Sequence, residues 1–124
     1  MSEKQLSYLR KIRKILARNE RYPLDAYSFL MAALNYTVEK LPEKRHVAGK
    51  ELLEGIREYT LEQFGPMART VLSHWCIHST LDFGHIVFAL VDAGILRKQP
   101  EDKIEDFANG YDFKTAFDLG YKIE

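Results

Sequence analysis

Apolar residues recur along most of this chain at spacings of three and four, the period of helices packed against one another. Over 5–19, Leu6, Leu9, Ile12 and Leu16 form one stripe, joined at its edge by Tyr8 and Ile15. Arg10, Lys11, Arg13, Lys14, Arg18 and Arg21 fall on the other side, so the first predicted helix is amphipathic with a basic face. Tyr22-Pro23 interrupts it, because the residue before a proline is driven away from helical angles. Residues 24–41 are apolar around most of the circumference, which predicts a central core helix started by Pro23 and stopped by Pro42.

Residues 42–49 read as a polar loop that Val47 pins to the core. A third helix follows over 50–64, with Leu52, Leu53, Ile56, Tyr59, Thr60 and Phe64 inward and Glu51, Glu54, Glu58 and Glu62 outward. Gly55 in its middle costs helix propensity, which predicts a close approach of another backbone. Gly65-Pro66 is a stop followed by a start. Pro66–Cys76 then carries a short apolar face of Met67, Val71, Leu72 and Trp75. A corner follows at Cys76–Ser79, and Ser79-Thr80-Leu81-Asp82 matches a capping box, with Asp in place of the better Glu. Thr80–Ala93 forms the next helix, and Gly94 ends it.

Beyond Gly94 the period is lost. A charged turn leads to 104–108, then Asn109-Gly110, then 111–117. Asn-Gly between apolar runs is a hairpin signal. The last run alternates poorly as a strand, whereas as a helix it would stack Phe113 on Phe117. The expected fold is therefore mainly α. It has about five helices, a winged-helix-like helix-corner-helix and a short C-terminal β-hairpin. One domain spans 1–124: a basic N-terminal helix over 1–21, a helical core over 22–96, and an acidic hairpin or tail over 97–124.

Composition supports a packed core, with 46% apolar and 12% aromatic residues. The 18 basic and 18 acidic residues cancel, but they are unevenly placed. Residues 1–21 hold seven basic against two acidic side chains, and 101–124 hold three against seven. A basic helical face is most simply the solvated side of a packed helix, and it also suits a membrane surface or an acidic partner. The single Cys76 cannot form an internal disulfide, and no stretch approaches the roughly 20 apolar residues of a membrane span. A cytoplasmic protein with no transmembrane segment is expected.

Three of the four histidines gather near the corner. His74 and His78 are four apart, and Asp82 and His85 follow, which is a metal-ligand composition. The corner between them breaks the continuous helix that this spacing needs, and neither HExxH nor CxxC is present. Cys76 beside Trp75 and Ile77 reads as a small buried hydrophobe rather than a nucleophile. No phosphate loop, Walker pattern or GxSxG occurs, and the chain points to no cofactor. The outward face of Thr80–Ala93 offers Asp82, His85 and Asp92 but no Arg or Lys, so it is poorly suited to a DNA groove.

Several phrases resemble an uncharacterised family of small bacterial proteins first defined in planctomycetes and verrucomicrobia. They are YPLDAYSFLMAALNYT, HVAGKELLEGIREYTLEQFGPMARTVLSHW, LDFGHIVFALVDAGIL and the EDF and YDF pair, spread from about Tyr22 to Phe117. The matching positions include His46, Gly49, Glu51, Gly55, Arg57, Gly65, Trp75, Asp82, Phe83 and Gly84. In that family's pattern Gly follows the Trp, where this chain has Cys76. The resemblance implies no activity, and it marks His46, Glu51, Arg57 and Asp82 as the candidate polar binding surface.

The expected function is a non-catalytic protein-interaction or regulatory module. The alternatives are nucleic-acid binding by a winged-helix-like protein through the basic face of Arg10, Lys11, Lys14 and Arg18, and a metal or enzymatic role for a His cluster.

Overall fold

The computed structural model describes residues 2–18 and 21–119. Five α-helices carry the fold: α1 (Glu3–Arg18), α2 (Leu24–Glu39), α3 (Gly49–Phe64), α4 (Ala68–His74) and α5 (Thr80–Asp92). A 3-10 turn over Gly65–Met67 joins α3 to α4. A second 3-10 turn (Ile104–Phe107) and a π-helical turn (Lys114–Leu119) complete the described chain.

As its sequence predicts, α2 is the central helix. It packs most extensively on α3 and also on α5, burying Ala26, Tyr27, Phe29, Leu30, Ala33 and Thr37. Gly55 faces α2 at the tightest point of that contact. A Cβ placed there would lie 1.8 Å from Thr37 Oγ1, so the close approach is made by a side chain rather than by the expected backbone. The Thr37 hydroxyl turns back to donate to the Ala33 carbonyl at 2.8 Å, which satisfies it within its own helix. By contrast α1 is held mainly by Ile12 and Ile15, the two of its residues that are buried.

Both helices of the corner end in the same way. After α4, the Ile77 N–H donates to the Leu72 carbonyl and the Cys76 N–H to the Ser73 carbonyl, and Cys76 sits at φ 63°. After α5, Ile95 donates to Leu90 and Gly94 to Val91, with Gly94 at φ 79°. These are Schellman motifs, and each sets an apolar residue just past the helix beside its last buried turn. Met67, expected on the inner face of Pro66–Cys76, is 54% exposed. The turn that carries it is 3-10, whose tighter winding rotates it off the α-helical stripe.

The predicted C-terminal β-hairpin is absent, and with it the wing of a winged helix: no strand occurs among the described residues. A type I′ hairpin turn needs positive φ at both central residues. Asn109 has φ 55°, but Gly110 does not take a positive φ. Gly110 is required for space instead, since a Cβ there would lie 2.6 Å from Leu53 Cδ1. The segment is a strap laid across α3 and α5. Thr80 Oγ1 donates to the Phe107 carbonyl and accepts from the Gly110 N–H, and the Tyr111 hydroxyl donates to the Leu53 carbonyl. Phe107 buries against Gly84 and Gly49, while Phe113 and Phe117 meet edge to face with ring centres 5.1 Å apart, the pairing that the helical reading of 111–117 expects.

Candidate functional site

The loop between α2 and α3 is anchored by Val47, which is buried as expected. Its polar side chains are fixed by two pairings. Arg45 meets Glu51 fork to fork, Nη1 to Oε1 at 3.0 Å and Nη2 to Oε2 at 2.7 Å. Glu51 also accepts the Ala48 N–H at 3.1 Å, capping α3. The Arg45 guanidinium, followed by that backbone donor, holds the Glu51 carboxyl down to about 2. Next to this pair, His46 Nε2 lies 2.6 Å from Asp102 Oδ2. The same Asp102 oxygen accepts the Gln99 N–H at 2.7 Å, which orients the carboxylate toward the histidine.

Between the His46 loop and the Asp102 segment lies a cleft of about 240 Å³. Leu34 and Val38 of α2, Leu52 of α3, Val87 and Val91 of α5, and Leu96 make it apolar. Arg45, Arg97, Lys98, Asp102 and Asp106 edge it with charge, and His46 stands among them. The cleft therefore offers an apolar floor with a mixed, slightly cationic rim, and the paired His46 and Asp102 both line it.

Of the four polar candidates, His46 lines the cleft and Glu51, in the first turn of α3, adjoins it through its pair with Arg45. Arg57 and Asp82 do not line the cleft. Arg57 is bound to Glu54, with Nη2 at 2.5 Å and Nε at 3.0 Å from Oε1. Asp82 is 4% exposed and is shared by four partners, three hydrogen-bond donors and one ion pair. Its Oδ1 accepts the Tyr22 hydroxyl at 2.5 Å and forms an ion pair with the Arg21 guanidinium at 3.1 Å. Its Oδ2 accepts the His78 N–H at 2.8 Å and the Ser79 N–H at 3.2 Å. The last of these is the Asp half of the predicted capping box, while the Ser79 hydroxyl makes no capping bond. Burial pushes the Asp82 carboxyl up, but the Tyr22 hydroxyl, the His78 amide, Arg21 and the Ser79 amide together hold it below the usual range. Burial and the bond to Asp82 push the Tyr22 phenol well up.

His78 thus meets Asp82 through its amide, with its side chain exposed; His74 is exposed in the last turn of α4, and His85 is half-buried on α5. Among the described residues no group of three or more His, Cys, Asp or Glu side chains stands together to hold a metal ion. Cys76, read from sequence as buried, is exposed because the turn that ends α4 carries it outward. On the basic face, Arg10, Lys14 and Arg18 are exposed, and Lys11 Nζ reaches the Gly94 carbonyl at 3.3 Å.

Sequence reasoning missed Asp102 as the partner of His46, and Tyr22 and Arg21 as partners of Asp82. These contacts span 56 and about 60 residues, so no local spacing announces them. No helix among the described residues is long and apolar enough to cross a membrane. Comparison of the chain with family models, curated proteins and solved structures finds no match.

Proposed function

We propose that this chain is a small, non-catalytic protein-interaction module of the cytoplasm, and that it grips a partner through the cleft beside His46. The observation that carries this reading is the apolar cleft of about 240 Å³ with charges arrayed on its edge. That volume lies under the roughly 300–1,000 Å³ of pockets that enclose drug-sized ligands, and it suits one or two apolar side chains of a partner. Desolvated apolar anchors inside a polar rim are the anatomy of an interaction hot spot. Arg45 is held by Glu51 and His46 by Asp102, so these rim side chains are presented in one geometry. Arg97 and Lys98 tip the rim toward cationic, which favours an apolar anchor flanked by acidic residues. The family resemblance brings no activity that competes with this reading.

The test is selection of a displayed peptide library on the native protein, with Val91→Arg as the counter-screen. Peptides with a large apolar residue next to Asp or Glu are expected to bind the native chain and lose at least tenfold in affinity on the variant. Peptides that bind both proteins equally, or no enrichment at all, would reject the cleft as the recognition surface.

A further inference from the structure

The second surface with uncompensated chemistry is α1, and it is independent of the cleft. Its inward side is set by Ile12 and Ile15, 2% and 6% exposed. At about 100° per residue, Leu6, Arg10, Arg13 and Ala17 line the opposite side at spacings of four, three and four. Leu6 and Leu9, 40% and 38% exposed, are left uncovered, although both belong to the apolar stripe that the sequence assigns to packing. Arg10 and Arg13 stand on the same side as Leu6, Lys14 lies further round, and Lys4 and Arg18 lie on the far flank; all five are exposed, and none makes an ion pair among the described residues. Arg10 and Arg13 therefore flank Leu6 and Leu9, which the described chain leaves 40% and 38% exposed.

We infer that α1 is an interfacial helix that docks the protein on an anionic lipid surface. Cations distributed about exposed leucines complement such a surface in both of its parts: arginine and lysine meet lipid phosphates while leucine enters the boundary below them. Each near-surface cation contributes separately to binding, and the sum is screened by salt. A nucleic acid would satisfy the cations and leave the leucines in water, because its backbone and base edges are met by charged, amide and hydroxyl groups. No residue of α1 lines the cleft.

The experiment is co-sedimentation of the full chain with vesicles of phosphatidylcholine alone and of phosphatidylcholine with phosphatidylglycerol, at low and at physiological salt. A duplex oligonucleotide is the competing probe. Binding to the anionic vesicles only, weakened by salt, is expected. Arg10→Gln with Arg13→Gln should lower partitioning about thirty-fold, the effect of two near-surface charges. Leu6→Ser with Leu9→Ser should lower it at least tenfold while keeping all the charges. Both pairs lie on the exposed side of α1, and an unchanged thermal midpoint confirms that each variant folds. No sedimentation with anionic vesicles at low salt overturns the inference. So does a leucine double variant that binds them as well as the native chain, or one that still binds the oligonucleotide while native vesicle binding is absent.

Discussion

The hydroxyl of Tyr22, in the linker between α1 and α2, donates a 2.5 Å hydrogen bond to the Asp82 carboxylate at the start of α5, 60 residues away. Both side chains are buried, 1% and 4% exposed. The contact joins the linker to the corner, because the other Asp82 oxygen receives the His78 and Ser79 amides. Tyr22→Phe deletes one donor and leaves the carboxylate two amide donors and the Arg21 ion pair. A hydrogen bond to a charged group is worth about 1.5–3 kcal/mol, and a loss near the lower end is expected by urea denaturation. Asp82→Ala leaves the phenol and two amides at a helix start without their acceptor, and should cost about 3 kcal/mol or more. A Tyr22→Phe loss under about 0.5 kcal/mol would show that the bond contributes nothing net.

The same carboxylate makes stability depend on pH in a stated direction. Its folded-state value is depressed below the ordinary one, so the folded form holds the charge more strongly than the unfolded chain does. Above about pH 4, the ordinary carboxylate value, the stabilisation is fully present. It is lost as pH falls from there through the folded-state value. Glu51, held at about 2, acts in the same sense, but its exposed pair with Arg45 is screened by water and contributes less. Unfolding free energies measured between pH 7 and 2 should therefore drop below pH 4 in the native protein. Asp82→Asn should start lower and fall less. A parallel fall in the two proteins would place the acid sensitivity elsewhere.

Cys76 occupies the left-handed position that closes the Schellman motif after α4, at φ 63°. Left-handed backbone costs a residue with a Cβ about 1–2 kcal/mol, a penalty that glycine escapes. The thiol is exposed, so little packing is lost with it. Cys76→Gly should stabilise the protein by about 1 kcal/mol, and Cys76→Val should destabilise it, because branching at Cβ worsens the same strain. Thermal midpoints of the two variants relative to the native chain settle the sign. If glycine lowers the midpoint, the thiol makes a contribution that the backbone geometry does not account for.

The five helices were legible because each one carries its own inner stripe and its own punctuation. Pro23, Gly65-Pro66, Ser79 and Gly94 all fall at helix ends. What misled was Asn109-Gly110, whose turn signal is local while the reason for Gly110 is not. Leu53 and Thr80 occupy the space its Cβ would take, and they belong to α3 and α5. The cleft was hidden for a related reason. Leu34, Val38, Val87 and Val91 read as ordinary core positions in their own helices, and only the packing of α2 against α5 leaves them lining a groove. His46 was readable as a candidate because a polar loop between strong helices is where recognition collects, whereas Glu51, in the first turn of α3, was marked only by the family resemblance. Asp102 was not readable, since its turn-forming role explains its presence fully until its second contact is seen.

Gly55 gives the sharpest test of how tightly α2 and α3 are joined. Alanine is the better helix former by about 1 kcal/mol, so on propensity alone Gly55→Ala should stabilise α3. The structure predicts the reverse. The new Cβ would meet Thr37 Oγ1 at 1.8 Å, its Cβ at 2.8 Å and its Cγ2 at 2.9 Å. None of these is the end of a long flexible chain, so relief requires α2 and α3 to part, and overpacking of that kind costs about 1–3 kcal/mol. Thr37→Ala alone should cost about 1 kcal/mol, through the loss of buried methyl contacts. Combined, the two changes should be better tolerated than their separate costs imply, because the nearest clashing atom is gone while the Cβ–Cβ approach persists. The double-mutant cycle, read by urea denaturation, should thus show a favourable coupling of at least 0.5 kcal/mol. A stabilised Gly55→Ala protein would mean that the two helices stand further apart than the structure places them.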